Sequence, residues 1–409
     1  MDKNSGFQWE RQVSNRMGRR IFLNPAECLF FLTLGLLFIG TLNIFSASFV
    51  LAGQQYGNSY HFLIRHVVGL VIGGMAGFFV YRQDYRIIAR MTPIWIGIVL
   101  FLLILVPFFG VVVNGARRWL SLFFGFQVQP SEFAKLTAIL LAAWYGSNQF
   151  KKGLLPTIFA WPTGVIIAFF GLIYLQPDFR TGVLIFAFYT LTLIVAGLPL
   201  WQIGAGGAVL LTGLAGIAVL APYRMARLLH WWDPWEAQTA GGYQAVQSFL
   251  AIGSGGWWGM GGGQGISKFY YLPEAHTDFA FAVFSQEWGF IGVLLVLLLF
   301  LLFAAAGVGI ARKASDSLGT YLAAGLTLYI VLQAFGNGMM ISGLLPVTGI
   351  PMPFFSYGGS FMLTNLIAVG LLLSIYRVGR TAPQEEEPEE LLEQPKRHNL
   401  RLVEKRRRI

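Results

Sequence analysis

Cysteine and charged residues are what this sequence has least of. A single cysteine, Cys28, excludes a disulfide within the chain and any metal site built from several thiolates. Charged residues make up 12% of the 409 residues and hydrophobic ones 56%, which excludes a soluble globular protein. We also expect no cleavable signal peptide, because the first apolar stretch is too long and lacks a small-residue cleavage site.

What the chain does contain is a series of apolar runs of membrane-spanning length. They predict an all-α polytopic membrane protein, residues 28–377, with about ten transmembrane helices near 28–49, 63–81, 93–113, 133–147, 155–174, 181–198, 201–221, 279–310, 318–341 and 359–376. A large loop, 222–278, separates the seventh and eighth runs. Residues 1–27 and 378–409 flank this domain, and the composition of the tail predicts disorder.

The distribution of lysine and arginine predicts the orientation of these helices. If the N-terminus is cytoplasmic, 21 of the 29 basic residues fall on the cytoplasmic side, as the positive-inside rule expects. Both termini are then cytoplasmic and the loop 222–278 lies outside. The net charge of +10 therefore reflects topology, and we expect no nucleic-acid partner. The polar motifs concentrate on the outer side, which predicts that the outer face is the working face.

The strongest candidate for chemistry is Asp278, in the segment YLPEAHTDF that opens the eighth run. A carboxylate where a membrane helix leaves the water can be partly desolvated and still accessible, as a general base requires. The alternative is that Asp278 or its neighbour caps the helix. Glu274 and His276 lie in the same segment. Glu287 lies about 13 Å deeper in the apolar run, where an ionisable group is functional or paired.

Three further motifs carry candidate residues. Arg118, in GARRWL, suits a phosphate ligand, or it extends toward lipid headgroups. In QPSEFAK, Glu132 and Lys135 are three residues apart at the start of a helix, which predicts an ion pair and leaves Lys135 also available to an anion. In QPDFRTG, Asp178 lies close to Arg180, which predicts another structural pair or a direct role in chemistry.

A glycine-rich stretch and a group of possible metal ligands lie in the large loop. Residues 241–265 contain ten glycines without a nucleotide-binding pattern, which predicts irregular backbone at membrane depth, lining a cavity. His230, Asp233 and Glu236 recur every third residue, and His276 precedes Asp278 by two. Either group could contact a divalent cation, but neither has a further ligand set.

Together these motifs resemble one family. In chain order, GARRWL, QPSEFAK, QPD, GGYQAVQS, AIGSGG, YLPEAHTDF, GLLP and SYGGS are similar to the SEDS family (FtsW, RodA, SpoVE), from about residue 25 to 377. The resemblance implies a peptidoglycan polymerase in the bacterial cytoplasmic membrane. It implies lipid II as substrate, a class B penicillin-binding protein as partner, and other divisome or elongasome membrane proteins. It also implies that Asp278 is catalytic, and it aligns Arg118, Glu132, Lys135 and Asp178 with family motifs.

This chain departs from the family pattern at two positions. The family usually has QPDLGT, whereas QPDFRTG places Arg180 where the glycine stands, and Gln286 replaces the first glutamate of a pair, leaving Glu287. Some segments favour the division member FtsW, namely Pro222-Tyr223-Arg224, Asp233-Pro234-Trp235 and Lys268 with EAHTD. The segment Gly349-Ile350-Pro351-Met352-Pro353 instead favours the elongation member RodA.

The mechanism that the resemblance implies is inverting glycosyl transfer. Asp278 would deprotonate the acceptor hydroxyl, while Arg118, Lys268 and a divalent cation (Mg²⁺ or Mn²⁺) would neutralise the departing pyrophosphate. Glu132, Lys135, Asp178, Glu274, His276 and Glu287 complete the candidate substrate-binding set. The alternatives are a RodA-type elongation polymerase, a lipid II flippase or other transporter, and a non-catalytic scaffold. A transporter predicts charged residues along several helix interiors, whereas the charged residues within the apolar runs here lie nearly all at the outer helix ends, with Glu287 the main exception.

Overall fold

The computed structural model describes residues 24–113, 115–121, 127–199, 201–204, 206–207, 231–236, 242–269 and 271–381. Helices dominate these ranges. In chain order the elements are α1 (Pro25–Tyr56), α2 (His61–Arg82), α3 (Tyr85–Arg90), α4 (Thr92–Phe109), β1 (Val111–Val113), β2 (Ala116–Ser121), β3 (Gln127–Val128), α5 (Pro130–Lys151), α6 (Trp161–Tyr174), α7 (Phe179–Val195), α8 (Tyr243–Gly255), α9 (Ala280–Arg312), α10 (Ser317–Ile341) and α11 (Gly359–Thr381).

The predicted apolar runs correspond to these helices. Nine of the ten runs coincide with a described helix, and the seventh, 201–221, lies largely outside the described residues. Within the described chain, six helices are long and apolar enough to cross a membrane, namely α1, α2, α4, α9, α10 and α11. Helices α6 and α7 are apolar but shorter. The all-α membrane fold class is confirmed, and the number ten stays a prediction.

The outer surface of the helix bundle is apolar, and helix α5, whose first turn carries charged residues, is enclosed by other helices. Large aromatic side chains such as Phe38, Phe79, Phe101 and Phe108 are each more than 60% exposed, as expected of residues that contact lipid tails. Residues 134–143 of α5, in contrast, are all buried. Helix α5 packs between α4, α7 and α10, and this arrangement encloses the charges at its first turn.

Helix α9 is broken at Gly289, where the sequence predicts a continuous helix. Gly289 has φ 64° and ψ −167°, a conformation that glycine adopts without the strain a side chain brings. The break frees the carbonyls of Gln286 and Glu287 and the amides of Phe290 and Ile291, which would otherwise bond to each other. Such groups need new partners at membrane depth, because each one left unsatisfied costs several kcal/mol.

The backbone of the glycine-rich loop supplies those partners. The amides of Met260 and Gly261 donate to the carbonyls of Gln286 (3.0 Å) and Glu287 (3.1 Å). In return, the amides of Phe290 and Ile291 donate to the carbonyls of Gly256 (2.9 Å) and Trp257 (3.2 Å). We call residues 243–269, which comprise α8 and this loop, the re-entrant segment. The prediction of irregular backbone over 241–265 is wrong for residues 243–255, which form α8, and is confirmed for the loop after it, which is joined directly to the broken helix.

A small antiparallel sheet follows α4, where the sequence predicts helix to residue 113. Helix α4 contains Pro107 and ends at Phe109, and the β-branched residues Val111–Val113 form β1 instead. Strand β2 pairs with β1 on one side and with β3 on the other. This sheet carries Arg118 to the same end of the bundle as the start of α9.

Candidate active site

Asp278 lies in the turn before α9 and does not cap that helix. The N-cap residue is Phe279, and no side chain makes a capping hydrogen bond there. The hydroxyl of Thr277 donates to the Glu274 carboxylate (2.6 Å) instead of accepting from the helix. The capping interpretation is therefore wrong for both residues. The Asn337 side-chain amide donates to the Asp278 carbonyl (2.7 Å), which holds the backbone while leaving the carboxylate to other partners.

The carboxylate of Asp278 faces Arg180. Its Oδ2 lies 3.5 Å from Arg180 Nη1, and Arg180 Nε lies 3.5 Å from Asp178 Oδ1. Arg180 Nη1 also donates to the carbonyls of Thr348 (2.6 Å) and Gly349. The predicted pair of Asp178 and Arg180 is confirmed. The contact with Asp278 was not predicted, because the two segments meet only through the packing of α7 beside the start of α9.

Asp178 is buried and is held by three polar groups. Its side chain is 2% exposed, and its Oδ2 accepts from Thr181 Oγ1 (2.8 Å) and Gln129 Nε2 (3.3 Å). Arg180 adds an ion pair at 3.5 Å to Oδ1, which has no hydrogen-bond partner of its own among the described residues. We infer that Asp178 positions its neighbours, because a carboxylate with this many partners is poorly placed to accept a proton.

The surroundings of Asp278 set its proton affinity. Burial raises the pKa of the Asp278 carboxyl to about 6, the Arg180 guanidinium opposes that rise, and the carboxylates of Glu274 and Asp178 add to it. Although 24% of its side-chain surface is exposed, protein surrounds the carboxylate on its other sides. A carboxylate with this pKa is ionised at neutral pH and is also basic enough to take a proton in the transition state.

Arg118 reaches from the sheet to the turn that precedes Asp178. Its Nε donates to the carbonyl of Gln176 (3.2 Å) and its Nη2 to the carbonyl of Pro177. These are the residues directly before Asp178. The neighbouring Arg117 is exposed and donates instead to the Pro107 carbonyl (3.1 Å). Arg118 therefore belongs to the group of residues around Asp278, while Arg117 faces away along the sheet.

Glu132 and Lys135 form the predicted ion pair, which is buried. Lys135 Nζ lies 2.8 Å from Glu132 Oε2, with side-chain exposures of 2% and 6% respectively. Lys135 also donates to Gln333 Oε1 (3.1 Å) and lies against the rings of Tyr329 and Phe361. The pair is confirmed. The charge of Lys135 is matched inside the protein, so a role toward an anionic ligand stays only a prediction.

Lys268 and Glu287 form a second buried pair, in the re-entrant segment and the broken helix. Lys268 Nζ lies 2.8 Å from Glu287 Oε1, with exposures of 5% and 2%. The Ser46 hydroxyl donates to both Glu287 oxygens (2.7 and 2.9 Å), and the Gly263 amide donates to one (3.0 Å). The sequence did not predict this pairing. It places the Lys268 charge against a carboxylate, so its predicted contact with pyrophosphate remains without support.

Glu274 and His276 shape the segment that leads to Asp278. Glu274 has φ 56°, and its carboxylate accepts from Thr277. The His276 ring packs between Phe62 (4.6 Å between centroids) and Tyr357 (5.8 Å), and its buried Nδ1 has no hydrogen-bond partner. Burial lowers the pKa of His276. We infer that His276 is neutral and that its packing between the two aromatic rings holds the segment in position.

The predicted metal ligands do not form a site in the described chain. No group of three His, Cys, Asp or Glu side chains that could hold a metal ion occurs among the described residues. Asp233 Oδ1 accepts from the amides of Trp235 (3.1 Å) and Glu236 (3.3 Å), which is a local turn, and His230 lies outside the described residues.

Three residues around Asp278 were missing from the predicted site set, namely Arg180, Asn337 and Gly349. Arg180 could have been included on sequence grounds, because it departs from the family pattern in QPDFRTG, the motif that contains the candidate Asp178. Gly349 has φ 74°, and a Cβ atom there would collide with Arg180 Nη1 and Asp278 Oδ2. Asn337 could have been noticed as a polar side chain inside an apolar helix.

Comparison with known proteins gives one consistent result. The model of the family described as "Cell cycle protein" (FtsW, RodA, SpoVE) matches residues 27–381. Stage V sporulation protein E of Bacillus subtilis is 39% identical over 365 residues, covering 87% of this chain and 98% of that protein. A probable peptidoglycan glycosyltransferase FtsW of Thioalkalivibrio sulfidiphilus is 38% identical over 379 residues, covering 90% of this chain and 92% of that protein.

Solved structures agree with these relatives. A chain of a peptidoglycan synthase complex, in which polymerisation and crosslinking are coordinated, aligns with a TM-score of 0.70 at 27% identity, covering 87% of this chain and 98% of that one. The rod shape determining protein RodA of Thermus thermophilus aligns with a TM-score of 0.63 at 27% identity, covering 85% of this chain and 95% of that one.

Proposed function

This chain belongs to the FtsW, RodA and SpoVE family of cell cycle proteins, and we propose that it is a peptidoglycan glycosyltransferase with Asp278 as its general base. The observation that carries the proposal is the environment of Asp278. It is a carboxylate in the turn before a membrane helix, with a pKa of about 6 and an arginine within reach. The relatives named as peptidoglycan glycosyltransferases support the same activity.

The reaction joins two lipid-linked sugars. Asp278 accepts the proton of the acceptor GlcNAc 4-hydroxyl as this oxygen attacks the anomeric carbon of the donor MurNAc. The new C1–O4 bond forms while the bond from C1 to the pyrophosphate oxygen breaks, so configuration at C1 inverts. The bond's electron pair leaves with undecaprenyl pyrophosphate, and Asp278 then releases its proton to water. A general base of this kind contributes about 10²–10⁴-fold to the rate.

Positive charge is needed where the pyrophosphate departs. Arg118 and Arg180 are the arginines that flank the turn containing Asp178, and guanidinium groups match phosphate oxygens in a bidentate fashion. The described residues offer no three-ligand metal cluster. A divalent cation such as Mg²⁺ or Mn²⁺ would therefore be held mainly by the pyrophosphate itself. Polymerisation assays with EDTA and with added Mg²⁺ or Mn²⁺ measure that requirement.

Cell division is the process that we propose for this activity. Relatives named FtsW, 34–39% identical, and the SpoVE relative at 39% support this choice over elongation, because RodA appears here at 27% identity among the solved structures. The chain is an integral membrane protein. We propose the bacterial cytoplasmic membrane, with both termini cytoplasmic and the Asp278 end outside.

The partner that we propose is a class B penicillin-binding protein. The similarity to a chain of a peptidoglycan synthase complex supports a partner that crosslinks the strands this chain makes. Other divisome membrane proteins would complete the assembly. Lipid II is the proposed substrate, because it carries both the disaccharide-peptide and the pyrophosphate leaving group that the reaction requires.

A lipid II flippase is the candidate from a different class. A transport path needs charged or polar groups that can exchange partners along the helix interiors. Four of the buried charges described here instead form two closed pairs, Glu132 with Lys135 and Lys268 with Glu287, and the buried Asp178 is paired with Arg180. This pairing favours an enzyme that works at one face of the membrane.

Purified protein polymerising lipid II, with and without its transpeptidase, tests the proposed function. We expect glycan strands from the wild type and none from Asp278→Asn, which keeps the side-chain size but is not a base. Glu236→Gln is the matched control, because it removes an exposed carboxylate from the large loop without touching the Asp278 group. Normal strand synthesis by folded Asp278→Asn would falsify the assignment of the base.

A further inference from the structure

Arg180 Nη1 has two N–H groups and faces three acceptors, namely the Asp278 carboxylate and the carbonyls of Thr348 and Gly349. The distances from the guanidinium to the carboxylates of Asp278 and Asp178 are both 3.5 Å, longer than the 2.7–2.9 Å of a strong charged hydrogen bond. Its closer contacts are the carbonyls of Thr348 (2.6 Å) and Gly349. The guanidinium is therefore held in place by neutral carbonyl groups, and neither carboxylate binds it tightly.

The charges that face Asp278 make Arg180 its electrostatic partner. From its own segment comes Glu274, and from the start of α7 come Asp178 and Arg180. Asp178 already has Thr181 and Gln129 as partners. From α5, Glu132 also faces Arg180, but it is paired with Lys135. Arg180 thus supplies the positive charge beside a base that is otherwise surrounded by negative ones.

This placement has a consequence for the proposed reaction, on which the inference rests. We propose that Arg180 is a shared cation, bound to the Asp278 carboxylate in the free enzyme and to the donor's pyrophosphate when substrate is present. A pyrophosphate carries more charge than one carboxylate and offers the oxygen geometry that a guanidinium matches. Substrate therefore draws Arg180 away from Asp278.

The transfer of Arg180 couples binding to chemistry. While Arg180 faces Asp278, it keeps the carboxylate ionised and ready for an acceptor. When Arg180 turns to the pyrophosphate, Asp278 loses its stabilising cation and becomes a stronger base at the moment when a proton has to be taken. The same movement places positive charge where the leaving group develops its negative charge. The Arg180 side chain is 29% exposed and is therefore accessible from outside the protein.

Gly349 packs its backbone directly against Arg180 and Asp278. Its carbonyl accepts from Arg180, and a Cβ atom at this position would collide with both the guanidinium and Asp278 Oδ2. Its φ of 74° also favours glycine. The loop that contains Gly349 therefore covers the pair at close range without a side chain in the way.

A binding measurement tests the inference without relying on catalysis. Undecaprenyl pyrophosphate and undecaprenol are titrated against wild type, Arg180→Gln, Asp278→Asn and the control Arg117→Gln in nanodiscs. We expect Arg180→Gln to weaken binding of the pyrophosphate about tenfold, because one charge-assisted contact is lost. Asp278→Asn should tighten it, since the competing carboxylate is gone. Undecaprenol binding and Arg117→Gln should not change.

The pH dependence of lipid II polymerisation provides the second measurement. In Arg180→Gln, the acid limb of the kcat/KM profile, which reports the free enzyme, should move upward by about one pH unit, because the cation that lowers the pKa of Asp278 there is missing. Arg180→Lys keeps a positive charge but lacks the planar guanidinium group. Its acid limb should lie between those of the wild type and Arg180→Gln. If Arg180→Gln binds the pyrophosphate like wild type, or if Asp278→Asn binds it more weakly, Arg180 is not shared and the inference is overturned.

The binding and pH measurements distinguish a failure of this inference from a failure of the proposed function. Wild-type protein that makes no glycan would defeat the proposed function while the binding arm still decides the role of Arg180. An unmoved acid limb in an active Arg180→Gln enzyme would defeat the shared cation alone. Should Arg180→Gln fail to fold, Arg180→Lys decides, since unchanged pyrophosphate affinity and an unmoved acid limb in that variant would equally overturn the inference.

Discussion

At the scale of single residues, the proton affinity of Asp278 governs when the enzyme can work. The pKa of this carboxyl is raised to about 6, mainly by burial. Since the base acts only when ionised, we expect polymerisation to be maximal above this pH and to fall about tenfold for each pH unit below it. A rate profile between pH 5 and 8, with folding monitored in parallel, measures this limb. A rate that stays flat down to pH 5 would contradict the assignment.

Gly349 gives a second prediction at the residue scale. We expect Gly349→Ala to reduce the polymerisation rate by about 10²-fold, because displacing Asp278 and Arg180 by even 1 Å disrupts the reacting geometry. Gly338→Ala is the matched control, since a Cβ atom at Gly338 meets nothing within 4 Å. Equal rates for the two variants, at equal thermal stability, would show that the loop does not position the pair.

At the scale of elements, four backbone hydrogen bonds and the side chains of Gln286 and Glu287 join α9 to the re-entrant segment. Gln286 accepts from Ser267 (2.7 Å to the hydroxyl) and donates to Ser254 (2.8 Å), while Glu287 binds Lys268. These contacts lie about two to four helical turns after Asp278 along the chain. The re-entrant segment therefore supports the first part of the helix that presents the base.

The pair of Lys268 and Glu287 provides the test of this support. Glu287→Gln leaves a buried ammonium group unpaired, so we expect a loss of about 3 kcal/mol in the free energy of unfolding, together with lower activity. Lys268→Met combined with Glu287→Leu removes both charges and should recover most of the stability. Recovery of polymerisation in the double variant identifies the pair as structural. A stable double variant without activity would instead support the predicted contact of Lys268 with pyrophosphate.

The break in α9 provides another prediction at this scale. A Cβ atom at Gly289 would collide with Gly259 and lie 2.7 Å from the Trp257 backbone, and φ 64° strains any other residue. We therefore expect Gly289→Ala to lower the free energy of unfolding by more than about 1 kcal/mol. Thermal unfolding in detergent measures it, with Gly338→Ala again as the control. A Gly289→Ala protein as stable as wild type would mean that the break is not required.

At the scale of the whole molecule, the predicted orientation can be tested by thiol labelling. In a Cys28→Ser background, Trp232→Cys lies in the large loop and is 85% exposed, while Lys152→Cys lies in the turn between α5 and α6. An impermeant reagent added from outside should label the first and not the second. The reverse pattern would place the Asp278 end in the cytoplasm and would exclude lipid II polymerisation at the outer face.

Much of this molecule could be predicted from the sequence because the signals were local. Hydropathy placed the described apolar helices with ends that differ by up to seven residues, and charge spacing predicted the Glu132–Lys135 and Asp178–Arg180 pairs. The position of Asp278 beside an apolar run was equally local. The apolar run ending at residue 113 misled the prediction, because three consecutive valines are as compatible with a strand as with a helix.

The membrane class, the approximate helix positions and the carboxylate on which the proposed chemistry depends could be read from the chain alone, since each follows from the solvent preference of neighbouring residues. Which charges meet depends on the packing of the helices. Arg180 faces Asp278, Lys268 faces Glu287, and the re-entrant backbone completes the broken helix at Gly289. These contacts join segments far apart in the chain, and no local pattern specifies them. They form because buried charges and free backbone groups inside a bilayer must find partners wherever the packing brings them together.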